Sequence, residues 1–103
     1  IEQLVRVAWR GLPRVDQKKL VDYAVRMRSH ALVQRLGFIV DFLVEERLVA
    51  PLPENLRSSL LRHVGKTALY LDSRKPKSGE FSRDWRIVNN VPRNQLLSEV
   101  EVR

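Results

Sequence analysis

From His30 to Arg47 the apolar side chains of Leu32, Leu36, Ile39 and Leu43 recur at the spacing of a single helical face. Phe38, Val40 and Phe42 widen that face until only Gln34, Asp41 and Glu45 form a consistent polar strip. A helix covered on most sides belongs at the centre of a core. Ser29 stands where its hydroxyl can cap the first turn. Gly37 costs about 1 kcal/mol relative to alanine inside a helix, so its presence there predicts close approach by a neighbouring helix or strand.

Helical spacing recurs on both sides of this segment. Leu4, Val5, Ala8 and Leu12 predict a short helix over Ile1 to Gly11, stopped by Gly11 and Pro13. Asp16 is placed to cap a second helix running to Arg28, with Leu20, Ala24 and Met27 on its inner face. After a break at Ala50 to Pro53, Leu56, Leu60 and Val64 predict a helix from Pro53 to Val64. Arg62 and His63 fall in its last turn, where positive charge suits the helix dipole, and Gly65 is placed as a left-handed cap.

The period then drops to two. Leu69 and Leu71 alternate with Tyr70 and Asp72, and Trp85, Ile87 and Asn89 alternate with Arg86 and Val88. Ser73 to Asp84, polar and carrying Pro76 and Gly79, reads as the connection of a long hairpin spanning Ala68 to Asn90. Beyond Pro92 the pattern is weak, and Leu96 to Val102 reads either as a frayed tail or as an edge strand. The expected fold is α+β, with about four helices followed by a C-terminal antiparallel β-hairpin packed on them, all in one domain over residues 1–103.

Composition narrows the classes. Nineteen Lys and Arg against twelve Asp and Glu leave a net charge of +7, which favours polyanions or acidic surfaces. No cysteine means no disulfide and no thiolate metal site, so the cytoplasm is the default compartment. The longest apolar run, Leu36 to Val44, is interrupted by Asp41 and falls well short of the roughly 20 residues of a membrane span. No signal peptide is read at the start. The chain opens on Ile1 and not Met, and is therefore read as a piece of a longer protein.

Candidate chemistry is sparse. Gly65-Lys66-Thr67 echoes the end of a phosphate-binding loop, but Leu60 stands where the first glycine is needed, and the strand-then-helix order is reversed. His30 and His63 lack a second ligand at helical spacing, and no nucleophile elbow surrounds any serine. No catalytic residue, cofactor or metal is expected. The strongest electrostatic feature is the connection itself, where Arg74, Lys75, Lys77 and Arg83 face only Glu80 and Asp84. It reads as a solvated loop or as a contact surface for phosphate or acidic groups, with Ser78-Gly79 letting the backbone approach a ligand closely. Phe81 and Trp85 flank it, and Trp85 shares a strand face with Ile87, which favours core packing over base stacking.

Leu20 to Ala24, Ala31 with Arg35-Leu36-Gly37-Phe38, Tyr70-Leu71-Asp72, Lys77-Ser78-Gly79, Trp85 and Val88-Asn89, in this order, resemble the C-terminal domain of the AbiEi family. These are antitoxins and transcriptional repressors of type IV abortive-infection toxin-antitoxin systems. The resemblance spans roughly positions 16 to 91, and it departs from the family pattern at Ser73, where a proline commonly follows the Leu-Asp pair.

The resemblance implies a cytoplasmic prokaryotic, non-enzymatic antitoxin domain that counters a nucleotidyltransferase-like toxin. It also implies an N-terminal winged-helix domain, outside this chain, that binds operator DNA. Two other readings stand beside it. One is a stand-alone nucleic-acid-binding module using Arg74, Lys75, Lys77, Ser78 and Arg83. The other is a dimerisation or scaffold module, in which an apolar patch or the tail after Pro92 pairs with a second copy.

Overall fold

The computed structural model describes residues 17–101. In chain order these form α1 (Gln17–Arg26), α2 (His30–Glu45), α3 (Glu54–Leu61), β1 (Leu69–Tyr70), β2 (Glu80–Ser82), β3 (Ile87–Asn89) and α4 (Arg93–Glu101). The helix expected over Ile1 to Gly11 and the Asp16 cap lie outside the described residues. The architecture is α+β.

α2 is the central element. Ser29 has extended backbone, and its Oγ accepts the Leu32 amide at 3.2 Å, satisfying one of the free donors of the first turn. Val33, Gln34, Leu36, Gly37, Ile39, Val40 and Leu43 are all buried. The helix closes without a glycine: Leu48 N–H reaches back to the Leu43 carbonyl and Arg47 N–H to that of Val44, with Arg47 at φ 60°. This is the Schellman arrangement, with arginine in the left-handed position usually given to glycine.

α1 presents Val21 and Ala24 to the core. Met27, expected on the same face, is 53% exposed because the helix ends at Arg26 and Arg28 turns the chain at φ 54° towards α2. α3 buries Leu60 completely, with Leu56 and Val64 packed against the same core. Gly65 is not left-handed as expected. It is instead a close-approach residue, since a Cβ there would come within 3.0 Å of the His30 Cβ, and its N–H donates to Gln34 Oε1 at 3.1 Å.

The sheet differs from the expected antiparallel hairpin. Its strand order is β1-β3-β2, with β1 parallel to β3 (Leu69 opposite Ile87) and β2 antiparallel to β3 (Phe81 opposite Val88). The chain passes from β1 to the outer strand β2, turns through 83–86, and inserts β3 between the two. The connection read from Ser73 to Asp84 thus contains a strand. Glu80 and Phe81 are exposed, so β2 has no buried face and gave no alternation to read.

The segment after Pro92 is neither frayed nor a strand. The Pro92 carbonyl accepts the amides of Gln95 and Leu96, starting α4, and Leu96 and Val100, one turn apart, are buried with Val91. Both arginine nitrogens Nε and Nη2 of Arg93 donate to Glu46, tying α4 to the end of α2. This bond from Arg93 lowers the Glu46 pKa from its ordinary value.

Candidate functional site

The face of α2 that receives the sheet is built around a missing side chain. A Cβ on Gly37 would overlap the six-membered ring of Trp85, which lies directly on the helix backbone. Trp85 is 1% exposed, and its indole N–H donates to Asp41 Oδ2 at 2.8 Å, one helical turn further along α2. The same carboxylate accepts Arg57 Nη2 from α3 at 2.9 Å. That guanidinium sits 5.4 Å from the Trp85 ring centroid and also bonds Asp84 at 3.3 Å. One carboxylate therefore joins α2, α3 and the turn before β3, and the indole N–H is not buried without a partner.

Two further α2 side chains complete this joint. Arg35 donates through Nε and Nη2 to the Tyr70 carbonyl at 3.3 and 3.1 Å. Gln34 is 1% exposed and fully used: Nε2 donates to the carbonyls of Thr67 and Arg86, and Oε1 accepts the Gly65 amide. Read from the sequence as part of a polar strip, Gln34 is instead a buried clamp that satisfies the Gly65 amide and the Thr67 carbonyl and shares the Arg86 carbonyl with the Leu69 amide.

The basic connection is held from beneath by Asp72 and Asn90. Asp72, 4% exposed, receives the Arg74 amide at 3.0 Å and the Arg74 Nε and Nη2 at 3.1 and 3.2 Å. These bonds hold the Asp72 carboxyl down at about 2, against its ordinary 3.8, although burial pushes it the other way. Asn90 accepts the Asp72 amide through Oδ1 and donates through Nδ2 to the carbonyls of Asp72 and Pro76. Gly79 closes the loop at φ 154°, where a Cβ would strike the Asn89 carbonyl.

Of the five candidate contact residues, Arg74 is thus engaged with Asp72, while Lys77, Ser78 and Arg83 are exposed and Lys75 is half-buried. Lys77 Nζ lies 6.0 Å from the Tyr70 ring centroid. None of Lys75, Lys77 and Arg83 is paired with a carboxylate of the described residues. Beside them Phe81 is 56% exposed at the edge of a cleft floored by Trp85 and Phe42 and rimmed by Glu45 and Glu80. Among the described residues no group of three or more His, Asp or Glu is arranged to hold a metal. No described helix is long and apolar enough to cross a membrane.

Asp72, Asn90 and Arg57 carry the site's geometry and were not singled out from sequence. In the sequence Asp72 stood only on the Tyr70 side of the strand alternation and within the Tyr70-Leu71-Asp72 stretch, and nothing marked the other two as site residues. No family model, no curated protein and no solved structure matches this chain.

Proposed function

We propose that this chain is a non-enzymatic antitoxin domain of the AbiEi kind, the C-terminal part of a DNA-binding autorepressor that neutralises a nucleotidyltransferase-like toxin. The observation that carries the reading is where the resembling residues meet. Arg35, Leu36 and Gly37 come from α2, Tyr70 to Asp72 from the end of β1 and just beyond, and Gly79, Trp85 and Asn89 from 42 to 52 positions after Gly37. They form one joint through the Arg35–Tyr70 bond, the Gly37–Trp85 contact and the Gly79–Asn89 approach. Residues so far apart in sequence fit a single pattern when they hold one piece of architecture in common. The resemblance is therefore to a scaffold and not to a catalytic signature, which agrees with a binding role in a cytoplasmic regulator.

The test is rescue of growth. Co-expressing the longer parent protein with a nucleotidyltransferase encoded beside it should restore growth, and deleting residues 16–101 from the parent should abolish rescue. Equal rescue by the deletion, or none by the parent, would refute the assignment.

A second reading is favoured by the unpaired cations of the loop: Lys75, Lys77 and Arg83 form a phosphate-contacting surface for nucleic acid. With Arg74 engaged, three contacts remain, so log affinity should fall with log salt at a slope of about 2.7, and Lys75→Ala should lower it by about one. A salt-independent affinity would leave only the protein-directed role.

A further inference from the structure

A second basic surface lies away from the loop, and none of its residues belongs to 73–84. Between the end of α1, the start of α2 and the turn after α3 is a groove of about 470 Å³, floored by Val25 and Val33. Among the described residues its charged and titratable lining is Arg26, Arg28, His30 and His63, with no carboxylate. In volume it falls within the roughly 300 to 1,000 Å³ of small-molecule sites.

The arginines are exposed, and neither makes a hydrogen bond or ion pair with a described residue through its side chain. Arg35, Arg57, Arg74 and Arg93 are each engaged by an acceptor, whereas Arg26 and Arg28 present two neighbouring guanidiniums to one cavity.

The histidines are oriented by the backbone. His30 Nδ1 lies 2.7 Å from the His63 carbonyl, and His63 Nδ1 lies 2.8 Å from the Ser59 carbonyl. A carbonyl oxygen only accepts, so each Nδ1 carries a proton and each Nε2 is the nitrogen left for a ligand. Two forked cations and two fixed imidazoles line the groove, and no carboxylate of the described residues lines it with them. That set suits a doubly charged, compact oxyanion better than a singly charged diester, because guanidinium forks bind phosphate oxygens in pairs.

We infer that this groove binds a terminal phosphate group, a phosphomonoester borne by a mononucleotide or by the 5′ end of a nucleic acid. Arg26 and Arg28 clamp the phosphate oxygens. His30 and His63 border the bound group with their Nε2 edges, and Val25 and Val33 underlie the ester group. The inference is independent of the antitoxin reading, since it uses different residues and a different ligand chemistry.

The experiment is an isothermal and NMR titration of the 103-residue chain with AMP, adenosine, and an oligonucleotide carrying either a 5′-phosphate or a 5′-hydroxyl. Binding of AMP at least tenfold tighter than adenosine, with shifts at the His30 and His63 rings, assigns a mononucleotide. A tenfold preference for the 5′-phosphorylated oligonucleotide with weak AMP binding assigns a nucleic-acid end.

Arg26→Gln with Arg28→Asn, the latter because asparagine tolerates positive φ, should weaken binding at least tenfold, whereas Lys75→Ala with Lys77→Ala should leave it unchanged. If the double variant melts early, Arg26→Lys with Arg28→Lys keeps the charge and removes the forks, and should still cost several-fold. The inference is overturned if the 5′-hydroxyl oligonucleotide binds equally well and AMP no better than adenosine. It is also overturned if the shifts fall on residues 74–83, or if the Arg26 and Arg28 variants bind as the parent does.

Discussion

Replacing Gly37 by alanine sets two effects of opposite sign against each other. In an isolated helix the change stabilises by about 1 kcal/mol, because alanine restricts the unfolded chain and favours helical backbone. Here the added methyl must enter space held by the Trp85 ring. Overpacking of this kind costs roughly 1 to 3 kcal/mol when the neighbour can yield. Trp85 yields poorly, being 1% exposed with its indole N–H fixed on Asp41. Tilting the ring away lengthens that bond, and a hydrogen bond to a charged acceptor contributes about 1.5 to 3 kcal/mol. It also disturbs the Arg57 stacking, worth about 0.5 to 1 kcal/mol.

The net expectation for Gly37→Ala is a destabilisation of about 2 to 4 kcal/mol, a large fraction of the roughly 5 to 15 kcal/mol that holds such a domain together. Urea unfolding followed by far-UV circular dichroism measures it, with an unchanged m-value showing that the two-state comparison holds. Trp85→Leu supplies the control: in that background Gly37→Ala should be neutral or stabilising, so the double-mutant cycle isolates the contact. A rise in the urea midpoint of Gly37→Ala alone would show that the ring does not rest on this helix, and the account of the α2–sheet joint would be wrong.

Three further outcomes follow from the same contacts. The Asp72 carboxyl, held at about 2 against 3.8, contributes stability that is complete above pH 4 and is lost as the pH falls from 4 to 2. Asp72→Asn should therefore cost about 1 to 2 kcal/mol at neutral pH, allowing for screening of the exposed Arg74 guanidinium, and should flatten the acid limb of the stability profile in that window. Gln34→Leu keeps the volume but strands the Gly65 amide and the Thr67 carbonyl, and leaves the Arg86 carbonyl with the Leu69 amide alone. It should cost about 2 to 4 kcal/mol in chemical denaturation and speed hydrogen exchange at Gly65. Leu96→Ala should destabilise by about 2 to 4 kcal/mol because α4 is part of the core, and a change below about 0.5 kcal/mol in thermal unfolding would return the segment to the status of a tail.

The elements with a dense apolar repeat were legible. α2 lies where its stripe and the Ser29 cap put it, Gly37 is a close-approach position, and Trp85 and Ile87 share the buried face. The errors fall where the apolar signal is thin. α4 carries its burial on Leu96 and Val100, too few anchors in nine residues to stand out from a polar tail. β2 shows Glu80 and Phe81 to solvent, so no alternation marks it as a strand. Met27 fits the helical repeat but falls beyond the end of α1, because Arg28 takes a left-handed turn that no glycine announced.

The candidate site divides along the same line. Its basic residues were visible because charge is a property of composition and needs no geometry. Which of them is engaged depends on Asp72 and on Asn90, eighteen positions further along, reaching back to hold it. Arg74 is drawn into an ion pair with the Asp72 carboxylate that Asn90 helps to place.

By itself, then, the chain determined the central helix, the position reserved for Trp85 and the sign of the surface, since each rests on local spacing or on charge count. The tertiary structure decided the strand order, the fate of the segment after Pro92 and the pairing of the polar side chains. Hydrogen bonds such as those of Gln34, Asp41 and Asn90 join groups 14 to 52 positions apart, and no local pattern records a partner at that distance.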